Sequence, residues 1–104
     1  MCYIPTVVQA ELYKGAYCSQ KVEQNLAVLN LFTDLLEIVD FDQNAALEFG
    51  KIQSELRRKG RPTGEIDALI AAVARSRKDI LVTNNTRHFI NIDGLQLEDW
   101  LNPQ

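Results

Sequence analysis

The stretch Gly64-Glu65-Ile66-Asp67-Ala68-Leu69-Ile70-Ala71-Ala72-Val73-Ala74 constrains this chain more than any other. It reads as the opening of a helix that is apolar on nearly every side, the pattern of a buried helix. One carboxylate, Asp67, sits in its first turns. Burying an unpaired carboxylate costs several kcal/mol, so its presence needs a reason. The plain reason is the helix N-terminus, where free N–H groups and the macrodipole stabilise an anion by about 0.3–1 kcal/mol. The functional reason is a metal ion or another polar partner in a cleft.

A length of 104 residues suits one compact domain spanning 1–104, and 46% hydrophobic residues is enough for a real core. The net charge of −3 excludes an overall basic field, so any nucleic-acid contact must come from a local patch. Cys2 and Cys18 form no CxxC pair, which favours a reduced, cytoplasmic setting over a disulfide framework. His88 is the single histidine, which argues against a histidine-based zinc site. No apolar run has the length of a membrane span, and the first residues do not read as a signal peptide.

Along the chain, Cys2-Tyr3-Ile4 reads as a short strand ended by Pro5. Thr6-Val7-Val8-Gln9 fits a capping box, with Thr6 as N-cap of a helix to about Tyr17. Glu11 lies in its second turn, where pairing with Lys14 is the ordinary expectation. Val22, Leu26, Leu29, Phe32 and Leu36 have helical spacing between Lys21 and Leu36, and Leu31 and Leu35 widen the stripe into a broad core-facing surface. Ile38-Val39 with Phe41 reads as a strand, and Asp42 as N-cap of a helix that buries Ala45, Phe49, Ile52 and Leu56. That helix stops at Gly60 and Pro62. The basic cluster Arg57, Arg58, Lys59 and Arg61 either complements the helix end or contacts phosphate.

The central helix ends near Arg77-Lys78. Ile80-Leu81-Val82-Thr83 then has the length and branching of a buried parallel strand. Asn84-Asn85-Thr86 follows at its carboxyl end, where open α/β sheets place their ligand sites. Arg87-His88-Phe89 reads as a helical turn, Asp93-Gly94 as a turn, and Leu95 to Trp100 as a last strand. The order predicts an α/β layered domain with a mainly parallel sheet.

Four segments then resemble one family. They are Val8–Ala16, Gly64–Ala72, Leu81–Phe89 and Gly94–Trp100, in that order. Together they resemble the PIN domain, and more narrowly the VapC-type toxins of bacterial toxin–antitoxin pairs. The resemblance implies a three-layer fold, a short mainly parallel sheet flanked by helices. It implies a Mg²⁺- or Mn²⁺-dependent endoribonuclease that cuts RNA, often tRNA. It implies a homodimer in the cytoplasm with a VapB-like antitoxin as partner and no membrane. By this match Glu11, Asp67 and Asn85 are the catalytic and metal-holding positions, with Thr6, Thr83 and Asn84 in support. Hard cations of this kind prefer carboxylate, carbonyl and water oxygens.

One departure bears on activity. Family members begin with a strand ending in aspartate and a helix after it, whereas this sequence starts at what would be the second strand. The resemblance is therefore to an N-terminally truncated PIN-like domain. Direct pairing of 2–4 with 80–83, mutual completion by two chains, and a longer or split reading frame each remain open. A catalytically degenerate module that binds a protein partner without cleaving RNA is the alternative function. A structural domain whose acids merely start helices is a third reading.

Overall fold

The computed structural model describes residues 3–83 and 86–99. Two compact units make up the chain, Met1–Phe41 and Asp42–Gln104.

In the first unit, β1 (Tyr3–Pro5) runs directly into α1 (Thr6–Tyr17), and α2 (Val22–Asp34) leads to β2 (Glu37–Val39). β1 and β2 pair in parallel, with Ile4 opposite Ile38. Pro5 closes the strand and is also the N-cap of α1, with extended φ −69° and ψ 152°. The expected capping box is not formed. Thr6 already lies inside the helix, and its Oγ1 accepts a hydrogen bond from the Phe41 N–H at 3.3 Å. The hydroxyl thus joins the start of α1 to Phe41, two residues beyond the second strand, instead of satisfying its own helix.

α1 and α2 pack on one another through Ala16 and Leu29, the buried positions of the two helices. The broad core face expected for α2 is only partly realised. Leu29 is buried, but Leu31 is 69% and Leu35 84% exposed. A two-helix layer covers one stripe of α2, and the residues that widen the stripe point beyond it.

The second unit holds the well-packed core. α3 (Gln43–Lys59) is capped by Asp42, whose Oδ1 accepts from the Ala45 N–H at 2.9 Å. It presents Ala45, Ile52 and Leu56 to α4 (Glu65–Arg77), which answers with Ala68, Ala71, Ala72 and Val73. Small alanines let the two axes approach, while Ile52, Leu56 and Val73 fill the space between them, each contributing about 1.5–3 kcal/mol.

Both helices end in the same hydrogen-bonded motif. Gly60 N–H donates to Arg57 O and Arg61 N–H to Leu56 O; Lys78 N–H donates to Arg75 O and Asp79 N–H to Ala74 O. The left-handed residue is Gly60 in one (φ 65°) and Lys78 in the other (φ 58°).

β3 (Ile80–Val82) pairs in parallel with β4 (Gln96–Glu98), and the ladder continues as Thr83 N–H donates to Glu98 O at 3.0 Å. Thr86–His88 form a single 3-10 turn between them. The strand type and parallel sense expected for 80–83 hold, but its burial does not. Ile80 is 52% and Val82 42% exposed, because β3 has one ladder partner among the described residues and presents alternate side chains outward. No helix among the described residues is long and apolar enough to cross a membrane.

Candidate active site

Asp67 is placed by the local chemistry of the loop before α4. Gly64, extended at φ −63° and ψ 151°, is the N-cap, and it offers no side chain to the free N–H groups of the first turn. Glu65 and Asp67 supply negative charge there instead. The Asp67 side chain is 29% exposed and lines a cleft of about 340 Å³ with Arg61, Thr63, Gly64, Arg87 and His88. His88 Nδ1 lies 3.1 Å from Asp67 Oδ2, with the ring 55% exposed. The Thr63 hydroxyl donates to the His88 carbonyl oxygen at 2.9 Å. The loop before α4 and the 3-10 turn after β3 are thus braced together, with the carboxylate between them.

Glu11 lies on α1 in the first unit, exposed, and forms no ion pair with Lys14 or any other described residue. Thr83 stands half-buried just beyond β3, at the strand end expected for it. Asn84 and Asn85 lie outside the described residues. Arg57 and Arg58 are exposed in the last turn of α3. Lys59 is committed elsewhere: its Nζ donates to Asp93 Oδ1 at 2.8 Å and to the Asn91 carbonyl at 2.9 Å. Lys59 also holds the Asp93 carboxyl below its ordinary value, by hydrogen bond first and by charge second. Of the basic cluster, Arg61 alone lines the Asp67 cleft. Among the described residues no three His, Cys, Asp or Glu side chains gather closely enough to hold a metal ion.

Two features escaped the sequence reading. One is His88, weighed only as a zinc ligand, which faces Asp67. The other is Arg75 in the otherwise apolar α4. Its Nη1 and Nη2 donate to Glu55 Oε1 and Oε2 at 3.2 and 2.9 Å, and Nη2 also donates to Glu48 Oε2 at 3.0 Å. Nη1 reaches the Asp93 carbonyl at 3.1 Å as well. Burial works against the Arg75 charge, but the bonds to Glu55 and Glu48 outweigh it and the pKa is raised. Glu55 is lowered, chiefly by its hydrogen bond to Arg75. Glu48 and Glu55 lie two helical turns apart on one face of α3, and an arginine inside an apolar helix was the signal for the cluster.

An α/β domain that sets a carboxylate in a basic-rimmed cleft, beside the turn that follows a parallel strand, has the form of a phosphate-directed site. The PIN domain family matches residues 1–95. Over 100 residues the chain is 49% identical to the tRNA(fMet)-specific endonuclease VapC of Shigella flexneri, covering 96% of this chain and 75% of that protein. Among solved structures it is similar to VapBC2 from Rickettsia felis bound to a DNA fragment from their promoter, with a TM-score of 0.91, 41% identity and coverage of 94% and 74%. The DNA-bound VapBC from Salmonella typhimurium matches equally well, with a TM-score of 0.91, 45% identity and coverage of 93% and 74%. The chain belongs to the PIN-domain family, in its VapC branch.

Proposed function

We propose that this protein is a VapC-type endoribonuclease toxin that hydrolyses RNA phosphodiester bonds with Mg²⁺ or Mn²⁺ and is held in check by a VapB-like antitoxin. Residues 1–104 are taken as one PIN-like domain, a proposal supported by the family match over 1–95. The observation that carries it is the part-exposed Asp67 carboxylate facing a cleft, in a chain 49% identical to a named tRNA endonuclease.

Asp67 is a hard oxygen donor open to the cleft, and that donor chemistry fits Mg²⁺ or Mn²⁺. Glu11 and Asn85 are the further proposed ligands, with Thr6, Thr83 and Asn84 in support. When bound, such an ion supplies Lewis-acid polarisation of the phosphate. The chain's own part is to hold Asp67 in place through His88 and the Thr63 bond, and to present cations at the cleft rim for the RNA backbone. Leu31 and Leu35, left exposed on α2, support a protein partner, whether antitoxin or a second copy in a homodimer. The cytoplasm, where RNA substrates lie, is the setting this reading implies.

The test is cleavage of tRNA(fMet) with Mg²⁺ or Mn²⁺ by the wild type and by Asp67→Ala. Cleavage should fall by at least about a hundredfold in the variant. Equal activity in both would remove Asp67 from the site. A wild type that binds a VapB-like antitoxin but cleaves nothing would favour the catalytically degenerate module, the reading that Asn85, in place of a third carboxylate, supports.

A further inference from the structure

The Asp67 cleft carries two guanidinium groups that the fold does not use. Arg61 and Arg87 both line it and both are exposed. Neither forms an ion pair among the described residues, whereas Lys59 is held by Asp93, Arg75 by Glu48 and Glu55, and Arg77 by Asp79. The backbones that carry them are nonetheless fixed to each other. Arg61 sits two residues before Thr63, whose hydroxyl donates to His88 O at 2.9 Å, and Arg87 directly precedes His88. Arg61 N–H is itself anchored on Leu56 O at 3.0 Å. Two uncommitted cations on one braced frame, beside a carboxylate, make a local anion-binding rim in a chain whose net charge is −3.

The ligand follows from shape and charge. The cleft's 340 Å³ lies at the low end of the roughly 300–1,000 Å³ typical of ligand sites, room for about one unpaired nucleotide. Planar guanidinium groups match phosphate oxygens with two parallel hydrogen bonds. We propose that Arg61 and Arg87 are a phosphate clamp that positions single-stranded RNA across Asp67. The clamp rests on the ribonuclease reading and adds to it which residues orient the substrate. Both act as positioning residues.

The experiment measures the Kd of an end-labelled single-stranded RNA oligonucleotide in EDTA across a KCl series, and KM and kcat for the same RNA in Mn²⁺. Arg61→Gln and Arg87→Gln should each raise Kd about five- to tenfold. Each should also make the slope of log Kd against log salt shallower by about 0.7, the value for one phosphate contact on a single strand. KM should rise with kcat little changed, and Arg61→Lys and Arg87→Lys, which keep the charge but not the paired hydrogen bonds, should recover the salt slope but only part of the affinity. Lys21→Gln, exposed at the start of α2, serves as a general charge control. Wild-type Kd, slope and KM in both Gln variants would overturn the clamp, as would an equal loss in Lys21→Gln. If the wild type still cleaves in that case, the ribonuclease reading stands. A wild type that neither binds nor cleaves RNA overturns both.

Discussion

His88 Nδ1 lies 3.1 Å from Asp67 Oδ2, which ties the turn after β3 to the first turn of α4. Asp67 is a proposed metal ligand, and a ligand carboxylate held by a neighbouring group loses less freedom when it binds a cation.

His88→Ala should therefore weaken Mn²⁺ binding and RNA cleavage together, by about ten- to a hundredfold. His88→Gln, which can still reach a carboxylate, should lose less. Calorimetric titration with Mn²⁺ reads the first effect. An unchanged affinity in the alanine variant would mean that Asp67 needs no such support.

The Glu55–Arg75 pair bears on stability. Arg75→Leu would leave the part-exposed Glu48 and Glu55 without their partner, at a cost of about 1–2 kcal/mol in urea denaturation. Because the folded pKa of Glu55 is depressed, its contribution is fully present above the ordinary value of 4.5 and is lost as pH falls below it. The Tm gap between wild type and Glu55→Gln should thus be open at pH 7 and close on acidification. A gap that widens in acid would contradict the pairing.

Gly60 ends α3 at φ 65°, and a Cβ there would meet nothing within 4 Å. Gly60→Ala should cost about 1 kcal/mol through backbone strain alone. Lys78, which tolerates the same conformation at the end of α4, marks the size of that penalty as bearable. Thermal denaturation measures it, and a stabilised variant would refute the left-handed cap.

Leu31 and Leu35 should behave as interface residues and not as core. Leu31→Ser and Leu35→Ser should change the stability of the isolated chain by no more than about 0.5 kcal/mol. A loss above 2 kcal/mol, the scale of a core truncation, would show that the face is covered within the chain.

Much of the architecture was legible because it follows from local chemistry. Asp42, Gly60 and the Ala45, Ile52 and Leu56 spacing determine where α3 starts, stops and faces. The alanines of α4 mark it as a buried helix, and the motif order points to the PIN family. The capping box failed because α1 begins one residue early, with Pro5 at the N-cap position and Thr6 inside the first turn, where its hydroxyl meets a partner far along the chain. The stripe on α2 misled because periodicity reports which face is apolar, not whether anything covers it.

The sequence by itself determined the elements and the carboxylate on α4, since each depends on neighbours a few positions away, and the order of the elements and motifs pointed to parallel strands and to the family. Only tertiary structure decided that Arg75 joins two glutamates of α3, that His88 faces Asp67, and that Arg61 and Arg87 share one cleft. These are meetings between side chains on distant segments. They depend on how helices and turns are set against each other, and no local spacing encodes that.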